Sequence, residues 1–342
     1  MRLKIDECTD PTTWDAYVHQ SRAASQYHLW RWRRVIEETY GHSSHYLAAI
    51  SDGQVQGVLP LVAIRSRLFG RFLVSLPFFN YGGILASTEE AQGALLDSAI
   101  ALARSLGMRH VELRQGNPCD LNWQEASPKV AMVVPLPKTT DEAWGKLSSR
   151  LRNKIRNASK SGLVARWGGC ELVKDFYSVF AVNMRNLGTP VYPRAWFENV
   201  MRFAGPDSRI LTLWKEERPA AATLITTFRD FVELPWIASL PEERKLQSTV
   251  LLYWTALEWA VQNGYARVDL GRCTPGGGTY QFKRQWNCDE VKLHWYYWLA
   301  PGVAAPQLRP ENPRFRLAIW LWKHFPLGVA NRLGPRIVRS IP

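Results

Sequence analysis

The order of predicted secondary-structure elements occurs twice along this sequence, and that repetition restricts the possible folds more than any single motif does. In the first half, apolar periodicity and turn residues predict helices at Trp14–Ser21 and Leu29–Thr39, strands at Tyr46–Ile50, Val55–Ile64 and Leu73–Leu76, a helix at Thr88–Leu106 and a strand at His110–Arg114. In the second half they predict helices at Phe176–Leu187 and Arg194–Phe203, strands at Arg209–Trp214, Ala220–Thr227 and Phe231–Ala238, a helix at Ser248–Asn263 and a strand at Arg267–Leu270. The residues themselves do not repeat. We therefore expect an α/β protein with mixed α+β sheets, built from two similar halves joined near residues 130–140.

Turn and cap residues support these element boundaries. Asp52-Gly53 lies between two apolar strand segments, which is a strong signal for a tight hairpin. Gly107 and Gly264 directly follow the two long helical segments, where a glycine ends a helix in the left-handed conformation.

Composition sets the class of protein. The chain has 342 residues, enough for two or three domains, with 46% apolar and 21% charged residues, as in ordinary globular proteins. Its net charge is +13, which favours anionic partners such as nucleic acid, phosphorylated substrates or anionic lipid. The five cysteines are scattered and form no C-x-x-C pair, so neither a disulfide framework nor a metal site is expected. No secretory signal or membrane-spanning run is found, so we expect a cytoplasmic protein.

A basic segment at residues 148–160 is the first candidate binding site. Arg152, Arg156 and Lys160 are spaced four apart, which places them on one face of a helix. No acidic residue lies between Glu142 and Glu171, so this positive face has no local neutralisation. Arginine forks bind phosphate oxygens well, and we expect an anion site here, the alternative being a solvated surface.

A glycine-rich loop is the second candidate. Asp269, Gly271 and Arg272 end a predicted strand, and the loop that follows contains Gly276, Gly277 and Gly278. Glycines let backbone N–H groups approach a ligand closely. Phe282 and Lys283 come next, where a cation can stabilise a developing oxyanion. The alternative is a flexible surface loop. Glu233 and Asp269 are further candidates for acid–base groups.

The two motifs together resemble those of the FemAB-like transferases. Arg150-Leu-Arg-Asn-Lys-Ile-Arg-Asn-Ala158 is similar to the family's basic helix, and Asp269-x-Gly271 followed by Phe282-Lys283 resembles its signature near the end of the second domain. Pro77-Phe-Phe-Asn-Tyr-Gly-Gly83, within the segment Leu68–Gly83, resembles the subgroup linked to PEP-CTERM/exosortase and exopolysaccharide loci. The resemblance covers roughly residues 1–300.

The resemblance implies two tandem GNAT-type domains and transfer of an acyl, in particular an aminoacyl, group. It further implies that Arg152 and Arg156 bind substrate phosphates, with Lys160 beside them, and that Phe282 and Lys283 lie at the transfer centre. The acceptor would be an amine or hydroxyl of a cell-envelope glycan, a lipid-linked peptidoglycan precursor or an exopolysaccharide. No tightly bound cofactor is expected. Family members that use tRNA often carry a long coiled-coil insertion, for which the short helical pair at 141–161 leaves no room.

The acyl donor stays open between aminoacyl-tRNA and acyl-CoA. A GNAT enzyme cradles the pyrophosphate of CoA with a glycine-containing turn at a helix start. The corresponding segment, Leu240–Val250, contains no glycine, although Arg244 and Lys245 could contact an anion. Two alternatives therefore remain: a CoA-dependent N- or O-acyltransferase of polysaccharide decoration, and a non-enzymatic scaffold that binds nucleic acid or membrane.

These motifs set the predicted domain bounds. We place an N-terminal GNAT-like domain at residues 1–135, a C-terminal one at 136–300 containing the basic pair 141–161, and a linker with a tail at 301–342. The tail mixes tryptophans with arginines from residue 314 to 342, a pattern typical of segments at a bilayer interface. An anionic membrane surface and a docked helix are both compatible with it.

Overall fold

The fold comes from a computed structural model that describes residues 3–67, 69–126, 129–304 and 313–341, without the side chains of residues 244 and 313–315. Leu68, where the subgroup segment begins, most of the predicted linker, and the side chains of Arg244 and Arg314 thus lie outside the described part. The chain divides into two compact units. The first comprises Met1–Pro128, Lys292–Leu308 and Arg339–Pro342, and the second Lys129–Val291 and Arg309–Val338.

Helices and strands alternate along both halves of the chain. Up to residue 126 they are β1 (Lys4–Glu7), α1 (Pro11–Gln20), α2 (Arg31–Tyr40), β2 (Ser43–Ser51), β3 (Gln54–Ser66), β4 (Gly70–Val74), β5 (Leu85–Ala86), α3 (Glu89–Ser105), β6 (His110–Gln115) and β7 (Gln124–Glu125). From residue 129 they are β8 (Val130–Pro135), α4 (Thr140–Lys146), α5 (Ser149–Ser159), β9 (Leu163–Gly168), α6 (Val173–Leu187), α7 (Arg194–Ala204), β10 (Ser208–Lys215), β11 (Arg218–Phe228), β12 (Phe231–Ser239), α8 (Ser248–Gln262), β13 (Arg267–Cys273), α9 (Gly278–Arg284), β14 (Asp289–Lys292), β15 (His294–Leu299), α10 (Pro313–His324) and α11 (Leu327–Val338).

Each unit contains one mixed sheet. The first has the order β1-β2-β3-β4-β6-β15-β7, with β5 paired to β3, and the second has the order β14-β8-β13-β12-β11-β10-β9. In the first unit an antiparallel hairpin β2–β3 leads to β4, the helix α3 follows, and β6 returns parallel to β4. In the second unit β10–β11, β12, α8 and β13 repeat that plan, with β13 parallel to β12. A parallel pair needs a crossover, and one helix supplies it in each unit. The predicted α/β fold with its internal repeat is confirmed.

Local chemistry accounts for the shared elements. Asp52 and Gly53 have φ values of 51° and 76°, as the tight turn between β2 and β3 requires. Helix α3 is capped by Thr88, whose side chain accepts the Ala91 N–H, and it buries the alanines and Leu95 of its inner face in the first core. Helix α8 is buried along almost its whole length because the sheet covers one side and α4 and α5 pack against another.

Two strands belong to a different sheet from the one that the predicted domain bounds imply. Strand β8, placed in the N-terminal domain by the bounds 1–135, pairs with β13 of the second sheet. Strand β15, placed in the C-terminal domain by the bounds 136–300, pairs with β6 of the first sheet. The reason is that strand pairing depends on partners far away in sequence, which local patterns do not reveal.

The C-terminal segment forms two helices in the second unit. Helices α10 and α11 both pack against α6. Arg185 of α6 donates a hydrogen bond to the Phe325 carbonyl oxygen at 3.2 Å, and a Cβ at Gly334 would lie 2.8 Å from the Val191 nitrogen. A docked structure, one of the two alternatives predicted for this tail, is therefore present over residues 313–338.

Candidate active site

The parallel strands β12 and β13 stop pairing part-way along their length. Their last registered pair is Glu233 opposite Asp269, although β12 continues to Ser239 and β13 to Cys273. On the other side of β13, the register against β8 shifts between Asp269 and Arg272. Gly271 lies in this shift with a φ of +85°, a left-handed conformation that other residues rarely adopt. The strand end is therefore bulged, with backbone groups turned out of the sheet.

Asp269 fixes this bulge from within. Its side chain is 1% exposed, and its Oδ1 accepts the Gly271 N–H at 2.7 Å. A buried carboxylate needs hydrogen bonds to offset the loss of water, and this backbone donor provides one. The structure thus gives Asp269 a positioning contact to the bulge.

Lys283 binds the same bulge through its ammonium group. It lies in α9, its side chain is 4% exposed, and its Nζ donates to the carbonyl oxygens of Gly271 at 2.7 Å and Arg272 at 3.2 Å. Burial lowers the pKa of the Lys283 ammonium, and the nearby Asp269 carboxylate partly opposes that shift. The sequence predicted that the 269–272 segment and Lys283 form one site, and the structure joins them by direct hydrogen bonds.

A cluster of three aromatic rings packs around α9. The ring of Phe282 meets the ring of Tyr253 edge-on at 5.2 Å, and Tyr253 stacks on Trp286 at 5.7 Å. Burial raises the pKa of the Tyr253 hydroxyl, so Tyr253 stays neutral. Phe282 is half-buried in the second core. The structure gives Phe282 a packing contact that holds the helix of Lys283 in place.

A pocket of about 360 Å³ opens beside the bulge. It is lined by Lys129, Arg272, Cys273, Thr274, Gly277, Gly278 and Thr279. Gly276, with a φ of +78°, turns the loop that contains the lining residues Gly277 and Gly278. Lys283 is not one of the lining residues, but it is hydrogen-bonded to the carbonyl oxygen of Arg272, which is. Burial raises the pKa of the Cys273 thiol, so it stays protonated near neutral pH.

Lys129 is a site residue that the sequence patterns missed. Its Nζ donates a hydrogen bond to Thr274 Oγ1, and both residues line the pocket. The two residues are far apart in sequence and meet because β8 pairs with β13. No local motif marks Lys129, so only the strand pairing could have found it.

The predicted basic helix is present as α5. Ser148 caps it by accepting the Leu151 N–H at 3.2 Å, and Leu151, Ile155 and Ala158 form its buried side. Of the predicted phosphate-binding residues, Arg156 and Lys160 are exposed and Arg152 is half-buried. Arg156 lies over the Trp144 ring at 5.3 Å. Among the described residues, no carboxylate forms an ion pair with the cations of α5. Its positive charge is therefore available to an anion.

Two hydrogen bonds tie the helical pair α4 and α5 to the segment that follows Lys283. Lys154 Nζ donates to Gln285 Oε1 at 3.3 Å. Asn287 Nδ2 donates to the carbonyl oxygen of Lys146, the last residue of α4, at 2.8 Å. The basic helix and the bulge are thus neighbours in the second unit, which their separation in sequence does not indicate.

Comparison with known proteins agrees with this geometry. Residues 145–284, which include α5 and the bulge, match the acetyltransferase (GNAT) domain family. The lipid II:glycine glycyltransferase of Staphylococcus aureus strain MRSA252 is 24% identical over 213 residues, which are 54% of this chain and 49% of that protein. The crystal structure of FemX superimposes with a TM-score of 0.68 and 16% identity, covering 88% of this chain and 98% of FemX. A tandem GNAT protein from the clavulanic acid biosynthesis pathway gives a TM-score of 0.57 and 13% identity, covering 89% and 100%.

The chain is similar to the FemAB-like transferases in sequence and in fold.

The chain spans about half the length of the curated relatives it matches. Its likeness to FemX and to the tandem GNAT protein establishes the fold, with both GNAT-type units included. Among the residues that the structure describes, no group of histidine, cysteine, aspartate or glutamate side chains is arranged to hold a metal ion.

Proposed function

We propose that this chain is an acyltransferase that moves an acyl group, and in particular an aminoacyl group, onto an amine or hydroxyl of a phosphorylated, lipid-linked envelope glycan. The observation that supports it most is the bulged end of β13, where Asp269 and Lys283 hold the backbone of Gly271 and Arg272 beside an open pocket. The lipid II substrate named for the staphylococcal relative supports this acceptor class.

The proposed chemistry needs positioning and charge. The acceptor nitrogen or oxygen attacks the acyl carbonyl carbon, the bond from that carbon to the donor's oxygen or sulfur breaks, and the acceptor proton passes to the departing atom. Negative charge develops on the carbonyl oxygen in between. Lys283 is a buried cation next to the pocket wall, where low polarity strengthens its electrostatic effect. Arg272 lines the same pocket.

The phosphates of the substrate would bind on α5. Arg152 and Arg156 lie on a helix whose cations form no ion pair with any described carboxylate, and Lys160 follows at its end. Arginine forks bind phosphate oxygens in pairs, and each charge-assisted hydrogen bond contributes about 1.5–3 kcal/mol.

For the donor we favour aminoacyl-tRNA over acyl-CoA. Helix α8, the crossover helix between β12 and β13, starts after a short 3₁₀ helix at Pro241–Leu246 and the left-handed Gln247 (φ 56°). No glycine lies between residues 240 and 250, so the backbone there offers no close approach for a pyrophosphate. Calorimetry with acetyl-CoA should therefore show no binding tighter than the high micromolar range. A low-micromolar constant would favour the CoA-dependent alternative.

The proposal extends to the class of acceptor and to the location of the reaction in the cell. An exopolysaccharide would present the same hydroxyl and amine chemistry as a peptidoglycan precursor, so both belong in the test. A lipid-linked acceptor also implies work in the cytoplasm at the inner face of the membrane. A non-enzymatic scaffold has no need of a buried, hydrogen-bonded lysine beside a pocket.

The deciding experiment incubates the purified full chain with a pool of aminoacylated tRNAs or with acyl-CoA, in each case with detergent-solubilised lipid II or lipid-linked glycans. Mass spectrometry then measures whether the acceptor gains the acyl group. Each reaction is repeated with the Lys283→Met variant. Acceptor acylation by the wild type alone supports the proposal. No mass gain with any donor, from a protein that is folded by circular dichroism, would contradict it.

A further inference from the structure

Large apolar side chains that are exposed in this protein are concentrated in one region of the second unit. Leu317, Trp320 and Leu321 of α10 are 60%, 57% and 44% exposed. Leu187 at the end of α6 and Val329 of α11 are also exposed. The remaining exposed ones among the described residues, Val164 and Trp167, lie on β9. We call Leu317, Trp320 and Leu321 the α10 face.

Helix α10 is apolar on two sides, and the α10 face is the side that is exposed to solvent. With about 100° between successive helical residues, Leu317, Trp320 and Leu321 fall within one sector of about 100°. Ile319 and Trp322 fall on the other side. Trp322 is 8% exposed, and a Cβ at Gly188, the residue after α6, would lie 2.5 Å from Ile319 Cγ2. The inner side therefore packs on α6.

Positive charge flanks the α10 face. Arg316 and Lys323 are seven residues apart, which places them on the same side of the helix, next to Trp320. With Leu317, Ile319 and Trp320 they line an open recess of about 530 Å³. The sequence contains no aspartate or glutamate from residue 312 to 342. In the described part of the chain, neither Arg316 nor Lys323 forms an ion pair.

We propose that the α10 face docks on the surface of an anionic lipid bilayer. Leucine and tryptophan side chains enter the boundary between headgroups and acyl chains, and the indole N–H remains at the polar level. Arg316 and Lys323 then lie next to lipid phosphates, whose negative charge attracts them. No helix among the described residues is long and apolar enough to cross a membrane. Helix α10, with 12 residues, would lie in the plane of the membrane surface.

The charge pattern favours a bilayer over a second copy of this chain. The net charge is +13, so two copies repel each other, whereas an anionic membrane attracts them. The three apolar residues belong to one short helix and form a narrow strip, smaller than a stable protein interface needs. This inference rests on surface residues and not on the acyltransferase proposal, so the two can be tested separately.

The test is co-sedimentation of the full chain with vesicles of phosphatidylcholine containing phosphatidylglycerol, compared with phosphatidylcholine alone. The triple variant Leu317→Ser/Trp320→Ser/Leu321→Ser should bind the anionic vesicles about tenfold or more weakly, because it loses the apolar burial. A matched control is Val164→Ser/Trp167→Ser, which removes exposed apolar side chains from β9 and should bind like the wild type.

A second variant separates charge from burial. Arg316→Glu/Lys323→Glu should bind anionic vesicles weakly at low salt, and added salt should weaken the wild type in the same direction through screening. Melting curves of both variants should match the wild type, because the changed side chains are exposed. Turnover with a detergent-solubilised acceptor should also be unchanged, which distinguishes a failed docking surface from a failed enzyme.

Three outcomes would overturn the proposal. One is triple-variant binding equal to the wild type. Another is wild-type binding that does not depend on phosphatidylglycerol. The third is light scattering that shows a wild-type dimer and a monomeric triple variant with no vesicle binding, which would make the α10 face a self-interface.

Discussion

Lys283 illustrates how one side chain combines structural and chemical demands. The residue is 4% exposed, and its ammonium group donates hydrogen bonds to two carbonyl oxygens of the β13 bulge. If the side chain were removed, those carbonyl groups would lose their partners inside the protein. A buried carbonyl left unpaired costs about 1–3 kcal/mol.

Lys283→Met is therefore expected to lower both stability and activity. The free energy of unfolding should fall by about 1–3 kcal/mol, because the volume is kept but the hydrogen bonds are lost. Turnover should fall by about 10²-fold or more, the usual effect of losing an oxyanion-stabilising group. Denaturant titration and steady-state kinetics measure the two effects.

Val268→Ala is the matched control for Lys283→Met. Val268 is fully buried on β13, the strand that carries the bulge, so its truncation also lowers stability, but it has no polar group near the pocket. If both variants lose turnover equally, Lys283 acts only as a structural brace.

His28 makes the first unit sensitive to acid. It is 3% exposed, its Nε2–H donates to the Gly83 carbonyl oxygen at 3.2 Å, and its Nδ1 accepts the Ser25 N–H at 3.0 Å. Burial lowers the pKa of His28 from 6.5 to about 4. The unfolded chain therefore binds more protons than the folded one between those pH values, so stability is full above pH 6.5 and is lost as pH falls towards 4.

The loss attributable to His28 should be about 3 kcal/mol over that window. Carboxylates also titrate there, so the useful quantity is the difference between the wild type and His28→Gln at each pH. Unfolding free energies measured from pH 7 to 4 should converge as the pH falls. Parallel curves for the two proteins would show that His28 does not titrate in this way.

At the scale of elements, α5 separates a buried side from a charged one. Leu151, Ile155 and Ala158 pack into the second core, while Arg156 and Lys160 are exposed. Changing the charged side should therefore affect binding much more than folding.

Arg152→Glu/Arg156→Glu should raise the KM for a phosphorylated acceptor by about tenfold or more, because attraction becomes repulsion at short range. The melting temperature should change little, with a small cost from the lost contact between Arg156 and Trp144. Double lysine substitution should rescue KM only in part, since an ammonium lacks the planar fork.

The control for α5 is Arg65→Glu/Lys174→Glu, which makes the same change of net charge at exposed positions on β3 and α6. An equal rise in KM in this control would mean that overall charge, not the α5 site, attracts the substrate. A large fall in melting temperature for the α5 variant would show that its arginines are structural.

The elements also show how far sequence reasoning reaches. The helix predicted at Thr88–Leu106 is α3 at Glu89–Ser105, and the Asp52-Gly53 turn is where it was expected, because both depend on local chemistry. Strand β15 and the contact of Lys129 with Thr274 were missed, because both depend on pairing between distant strands. The sequence also does not indicate that Trp322 is buried while Trp320 is exposed, because both residues are tryptophans on the same helix.

At the scale of the whole molecule, the C-terminal helices α10 and α11 cover part of the second unit and also present the exposed α10 face. Trp322, Ala330 and Val338 are 8%, 1% and 6% exposed in α10 and α11, which pack against α6. Removing these helices would uncover the apolar groups of α6 beneath them.

Deletion of residues 313–342 should therefore destabilise the protein by about 4 kcal/mol, the burial of two or three large apolar side chains. Calorimetry should show the fall in melting temperature, whereas the triple variant of the α10 face should melt like the wild type. A truncated protein that melts at the wild-type temperature would mean that the docking of α10 and α11 contributes little. For this reason deletion is a poor substitute for point variants in the vesicle test.

The position of β15 in the chain has a consequence for biosynthesis. Strand β6 ends at residue 115, but β15, its neighbour in the first sheet, is complete only at residue 299. A ribosome makes the chain from the N-terminus at about 5–20 residues per second, so this edge of the sheet waits unpaired for about ten seconds or more while the second unit is made. During that interval the nascent chain presents an open β-edge, a template for misassembly that chaperones commonly shield.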